Sequence, residues 1–377
     1  MKFIILLIIN LLLSLNALAV DTKADQAIVI DYNTGEVLFE KNAAKKMPPA
    51  SMTKIMTVYV AFDRLKQTNL SVNDQCTISP RAYKMGGSRT FLEIDEKVSI
   101  DVLLKGIIVQ SGNDASVALA ECLAGTEEDS AKLMNVYAEN MGMLNTNFIN
   151  SSGWPDENHF STVRDLGILS NTIIRDFPEM YEYFAMKEFL YNEINQPNRN
   201  RLLTHVVGSD GLKTGYTKKS GWGISGSAKR DKRRITVVIN GTNSSRSRLN
   251  ESSYLIDWAF NQTSEVMLFK KGEIIKNVDV WLGNKPTINL VIKEDVISIL
   301  SFDQIKLIEA SINYNKPINA PIKNGDILGN IILSIPGKDK IDVPLIAQND
   351  IKEVNPLMKS FAAIKYLIFG TSLDEKQ

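Results

Sequence analysis

Three short polar clusters carry side chains able to do acyl-transfer chemistry, and they follow one another along the chain: Ser51-Met52-Thr53-Lys54, Ser111-Gly112-Asn113 and Lys213-Thr214-Gly215. A serine hydroxyl is a weak nucleophile that needs an adjacent base. Residues three apart lie on one face of a helix, so a helix opening at Ser51 brings the Lys54 amine to the Ser51 oxygen. A lysine held in a partly desolvated cleft beside other cations loses its grip on its proton, and the neutral amine then serves as base. The first turn of such a helix also aims backbone N–H groups at a developing oxyanion.

The second cluster lies between two apolar helical patterns, Val102–Val109 and Ala115–Leu123, where a turn can be held rigidly in a cleft. There the Ser111 hydroxyl can pass a proton to a leaving amine, while Asn113 either bonds a substrate backbone or caps the following helix. The same spacing recurs at Ser14, in an apolar leader, at Ser71, in a polar loop, and at Ser311, in a late strand-rich region. In the third cluster, Gly211 and Gly215 flank Lys213 and would let a substrate backbone lie close to a strand. Lys213 offers fixed positive charge and Thr214 a hydroxyl for a carboxylate; Lys219-Ser220-Gly221 is a competing match, and Lys213 is preferred because Gly211 and Gly215 flank it.

The elements that must position these groups are mixed. Ala27–Ile30 and Glu36–Phe39 flank a turn-rich Asp31–Gly35 and predict a hairpin. Met52, Ile55, Met56, Tyr59 and Phe62 recur at helical spacing directly after Pro48-Pro49. Helices are predicted over Ser130–Met141, Thr162–Ile174 and Ser253–Phe260, and strands over Gly223–Ala228 and Ile235–Asn240. The pattern is α+β, an antiparallel sheet packed by helices, over residues 20–262. From residue 263 to 350 short strand-like runs alternate with turns such as Asn324-Gly325, predicting a small all-β, sandwich-like domain.

The ends differ from the rest. Residues 1–19 pair a basic start with an apolar run and Ala17-Leu18-Ala19, the pattern of a cleaved signal peptide rather than of a full membrane span. In residues 351–377, Leu357, Phe361, Ile364 and Ile368 form one helical stripe, which suits either an interfacial membrane helix or packing on the β-domain. The 377 residues carry 43 basic and 43 acidic side chains, so no global charge points to nucleic acid. Two histidines and two cysteines form no metal-site spacing, so neither metal nor cofactor is expected. Cys76 and Cys122 could bridge in an oxidising compartment, but Cys122 falls within a helical pattern expected to be buried, which favours two unpaired core thiols.

Together the three clusters, with Gly153 through His159-Phe160-Ser161-Thr162, resemble the low-molecular-mass penicillin-binding proteins, specifically the serine-type D-alanyl-D-alanine carboxypeptidases. The resemblance spans nearly the whole chain and implies a β-lactamase/transpeptidase-like catalytic domain followed by a small β-domain and an amphipathic C-terminal helix. It implies that Ser51 attacks the penultimate D-Ala carbonyl of a peptidoglycan stem peptide, with Lys54 and Ser111 as proton carriers. The oxyanion would sit between the N–H groups of Ser51 and Tyr216, with Asn113, Lys213, Thr214, Gly215 and Arg248 as substrate-binding residues. β-Lactams would acylate the same serine. The enzyme would be periplasmic and attached to the inner membrane by its C-terminus. Many such relatives carry His where this chain has Tyr216; a backbone N–H survives that change.

Other readings fit the residues less well. A class A β-lactamase needs an E-x-x-L-N loop, absent between Asn145 and Asp176. A D,D-endopeptidase of the same superfamily is disfavoured by the second domain. A Ser-His-Asp hydrolase needs a histidine base, yet His159 reads as a loop brace and His205 lies in a strand-like stretch. A non-catalytic wall-binding protein would not need every motif residue.

Overall fold

A computed structural model of the protein describes residues 20–355 and Ser360. The expected signal peptide and the stripe of Leu357, Phe361, Ile364 and Ile368 lie outside the described residues. Two compact units divide between Ala259 and Phe260.

The first unit is built on five antiparallel strands: β1 (Gln26–Asp31), β2 (Val37–Lys41), β3 (Ser209–Thr217), β4 (Gly221–Arg230) and β5 (Arg233–Thr242). Their order is β2-β1-β5-β4-β3, so the first strand of the unit pairs with its last and β3 is left at an edge. β1 is apolar at most positions and buried at all of them, as expected of a central strand covered on both faces. The β1–β2 turn forms because the Asp31 carboxylate accepts from the backbone N–H groups of Asn33 (3.1 Å) and Thr34 (3.2 Å), and Gly35 takes a φ of 75°.

Helices cover the sheet: α1 (Lys54–Gln67), α2 (Ile100–Lys105), α3 (Asn113–Ala124), α4 (Glu127–Asn140), α5 (Val163–Asp176) and α6 (Ser245–Gln262). Hydroxyl caps set several starts: Ser99, Thr126 and Thr162 accept from Val102, Asp129 and Asp165. Residues 54–62 of α1 are buried all round, which makes it the central helix of the core. Met52, Ile55, Met56, Phe62, Leu104 and Leu166 pack there.

Two expectations are corrected. Cys76 and Cys122 are not free thiols; they form a disulfide with Cα atoms 5.6 Å apart. It joins the short strand Gln75–Thr77 to the end of α3, and Cys122 is exposed rather than core-packed. His205 is not in a strand but ends the short helix Leu202–His205.

The second unit has a six-stranded sheet in the order Glu309–Tyr314, Ile327–Ser334, Ile341–Ala347, Thr287–Ile292, Ile274–Trp281 and Ile318–Asn319. A separate pair joins Thr263–Phe269 to Val296–Ser301. Leu290, Ile292, Ile331, Leu333 and Leu345 form its core. Among the described residues no helix is long and apolar enough to cross a membrane.

Candidate active site

The nucleophile turn comes first. Pro48-Pro49 leads into a tight 3₁₀ turn, Ala50–Thr53, and α1 proper begins at Lys54. Ala50 sits at φ 48°, a left-handed conformation that costs energy for a residue with a side chain. A loop over residues 150–154 presses on this turn. Gly153, at φ 78°, makes the approach possible, because a Cβ there would collide with the Ala50 carbonyl. From the other side β3 closes in: a Cβ on Gly215 would lie 2.9 Å from the Pro49 carbonyl oxygen. Both glycines answer a close backbone approach around Ser51.

Lys54 is fully buried beneath Ser51. Its ammonium nitrogen lies 3.1 Å from Ser51 Oγ, 2.7 Å from Asn113 Oδ1 and 2.6 Å from the Ser152 carbonyl oxygen. Two of these three partners are carbonyl oxygens that can only accept. A neutral Lys54 amine has two N–H bonds for them and one lone pair, which then faces the Ser51 hydroxyl. Burial pushes the Lys54 pKa down to about 7; Asp114 pulls it back up, while Arg199 lowers it further.

Asn113 opens α3 and its amide is used at both ends: Oδ1 accepts from Lys54, and Nδ2 donates to the Gly86 carbonyl at 2.8 Å. Asp114, fully buried, accepts from the backbone N–H groups of Thr90, Phe91 and Ala115, tying α3 to the loop ahead of it. The predicted helix before Ser111 ends in a π-helical turn, Gly106–Gln110, rather than continuing as an α-helix. That wider turn delivers Ser111 at φ 69° to the wall of the cleft containing Ser51.

The cleft has two lobes that share Ser51, Ser88, Arg199 and Tyr216. The first, about 690 Å³, is lined by Ser111, Thr214, Gly215, Arg201, Arg248 and Trp222 as well. Lys213 lies behind it, buried; among the described residues its ammonium makes one hydrogen bond, a long 3.4 Å contact to the Thr214 carbonyl oxygen. Burial holds the Lys213 pKa well below the usual lysine value, and Lys54, Arg199 and Arg248 add to the effect. Burial also lowers Arg248 to about 10, with Arg199 and Arg201 contributing, so it stays charged at neutral pH. Arg248 packs over the Trp222 ring at 5.3 Å, and Tyr216 stacks on the same ring at 4.2 Å. Among the described residues, Lys213, Arg199, Arg201 and Arg248 have no carboxylate in ion-pair contact. Cations gathered without an anion form a receptor for one.

The structure thus brings Ser51, Lys54, Ser111, Asn113, Lys213, Thr214, Gly215, Tyr216 and Arg248 around one cleft. Ser71 sits instead in an exposed turn, where its hydroxyl accepts from the Asn73 N–H. His159 is a brace: Nδ1 accepts from the Ile149 N–H at 3.0 Å, which makes Nε2 the donor to Thr53 Oγ1 at 2.8 Å. Burial lowers its pKa to about 4, keeping it neutral. Sequence reasoning missed Arg199 and Arg201. Their one signal is the polar run Asn198-Arg199-Asn200-Arg201, basic without nearby acids.

A serine–lysine pair at the foot of a cationic cleft, on an antiparallel sheet clad in helices, defines a serine acyl-transfer enzyme of the penicillin-recognising class. Residues 14–243 match the family described as D-alanyl-D-alanine carboxypeptidase, and residues 264–353 match the C-terminal domain of penicillin-binding protein 5. This chain belongs to the D-alanyl-D-alanine carboxypeptidase family. It is 38% identical to D-alanyl-D-alanine carboxypeptidase DacC of Escherichia coli (strain K12), covering 90% of this chain and 86% of that one. The crystal structure of D-alanyl-D-alanine carboxypeptidase DacD from Francisella tularensis superposes with a TM-score of 0.80 at 29% identity, covering 89% of this chain and 95% of that one. Penicillin-binding protein D2 of Listeria monocytogenes, solved in a cefotaxime-bound form, superposes with a TM-score of 0.59 at 27% identity, covering 64% and 99%.

Proposed function

We propose that this protein is a serine-type D-Ala-D-Ala carboxypeptidase that removes the terminal D-Ala from peptidoglycan stem pentapeptides. The observation that carries the reading is the buried Lys54 amine, bonded to two carbonyl oxygens and turned toward Ser51. The terminal carboxylate of the peptide enters the first lobe and meets Arg248, Thr214 and the field of Lys213. Neutral Lys54 takes the Ser51 proton as Oγ attacks the penultimate D-Ala carbonyl. The oxyanion is held by the N–H groups of Ser51 and Tyr216. Collapse breaks the C–N bond; the Ser111 hydroxyl protonates the leaving amine and is reprotonated by the Lys54 ammonium. Water then attacks the acyl-enzyme, with Lys54 again as base, and releases the shortened peptide. β-Lactams acylate Ser51 by the same first step, in keeping with the cefotaxime-bound relative. Incubation with a pentapeptide ending in D-Ala-D-Ala should release one equivalent of D-Ala, and the Ser51→Ala variant should release none. Release by that variant would defeat the assignment.

The enzyme works outside the cytoplasm, in the periplasm. The leader pattern of residues 1–19 and the Cys76–Cys122 disulfide support this placement, since disulfides persist in oxidising compartments. Its C-terminal stripe attaches it to the membrane surface.

A further inference from the structure

We propose that Glu127 is a positioning residue for the Ser51–Lys54 pair: its carboxylate fixes the loop whose Ser152 carbonyl holds the Lys54 amine. The inference rests on the reading of Lys54 as the base for Ser51. Lys54 and Thr57 lie three residues apart on α1 and face this loop together. The Lys54 nitrogen donates to the Ser152 carbonyl at 2.6 Å, and Thr57 Oγ1 donates to the Ser151 carbonyl at 2.6 Å. These bonds can direct Lys54 only as well as the loop itself is held. Asn150 Oδ1 accepts from the N–H groups of Ser152, Gly153 and Trp154, but those bonds are internal to the loop.

Glu127 supplies the hold from outside. It is the first residue of α4, where the helix dipole favours an acid whatever else that acid does. Glu128 and Asp129 follow it and are exposed, whereas Glu127 is 4% exposed and turns inward. Its Oε1 accepts from the Ser151 N–H at 3.0 Å and from the Ser151 hydroxyl at 2.7 Å, and its Oε2 pairs with Arg81 at 2.7 Å. Both oxygens therefore act as acceptors. An amide at this position has one acceptor oxygen. Its NH2 would face either the Ser151 N–H or the Arg81 guanidinium, neither of which can accept. The site thus demands a carboxylate, and a buried carboxylate is tolerated only when its oxygens are bonded in this way. The charge also reaches Lys54: Asp114 and Glu127 raise its pKa, against burial and Arg199. Lys213 and His159 also face Lys54, and Arg81 is flanked by Glu128 and Glu121.

The test is the pH profile of acylation by a chromogenic β-lactam, with thermal melts alongside. Glu127→Gln removes an anion and loosens the Ser152 acceptor, and both changes disfavour the Lys54 ammonium. The midpoint should therefore fall below the wild-type value of about 7, and the plateau rate should drop roughly tenfold. Glu127→Asp keeps two acceptor oxygens and should recover part of both. Ser151→Ala keeps the charge and removes one bond, so it should lower the plateau by a smaller factor without moving the midpoint. A wild-type midpoint or a wild-type plateau in Glu127→Gln, whatever its melting temperature, makes Glu127 a structural acid and overturns the proposal. If that variant does not fold, Ser151→Ala decides: a lowered plateau supports the proposal and a wild-type plateau overturns it. Absence of acylation in the wild-type protein instead overturns the reading of Ser51 and Lys54 on which the role of Glu127 stands.

Discussion

At the scale of single residues, the chemistry turns on where the Lys54 proton resides. Desolvation brings its pKa to about 7, and Arg199 reinforces the shift against the opposing pull of Asp114. Only the neutral amine can accept from Ser51, so acylation should rise with pH and level off above about 7. A stopped-flow series with a chromogenic β-lactam from pH 5.5 to 8.5 measures this; a flat profile would argue against Lys54 as the base. Lys54→Ala should slow acylation by roughly 10²- to 10⁴-fold. Lys54→Arg should not rescue it, because a guanidinium stays protonated. The Tyr216 ring packs on Trp222 with centroids 4.2 Å apart.

At the scale of elements, the nucleophile is held by pieces far apart in sequence. Ser51 lies on the turn before α1, Ser111 on the turn before α3, and Lys213 on edge strand β3. His159 ties the loop over residues 149–159 to the turn through Thr53. Its folded-state pKa of about 4 lies below the ordinary 6.5. Between those values the unfolded chain binds more protons, so this contribution is present above about pH 6.5 and is lost as pH falls toward 4. Denaturant melts should lose about 2 kcal/mol between pH 7 and pH 5 from this group, and His159→Gln should flatten that slope. An unchanged slope would show that another group governs it. The helices and the sheet class were legible in the sequence because apolar periodicity is local: Met52 through Phe62 reads as a helix, and from Lys54 onward it is α1, with Met52 in the 3₁₀ turn that leads into it. The three motifs were legible because each is contiguous. The disulfide was not, since its cysteines are 46 residues apart and only packing brings them together. Nor was Arg199, whose partners in the cleft come from α1 and β3. The π-helical turn before Ser111 escaped as well, because its residues are as apolar as those of the α-helix it extends.

At the scale of the whole molecule, the proposed catalysis and the proposed membrane attachment fall to different parts of the chain. Every residue assigned to the reaction lies between Ser51 and Arg248, within the first unit. Removing residues 355–377 should therefore move the protein from the membrane to the soluble fraction while D-Ala release persists. Unchanged fractionation would refute the anchor. The claim on which the rest depends is that Ser51 forms the acyl-enzyme. Mass spectrometry of the protein after reaction with a penicillin tests it most directly. The expected result is one added penicillin mass, mapped to the peptide containing Ser51 and absent from Ser51→Ala. An adduct on another residue, or one that survives that substitution, would contradict it.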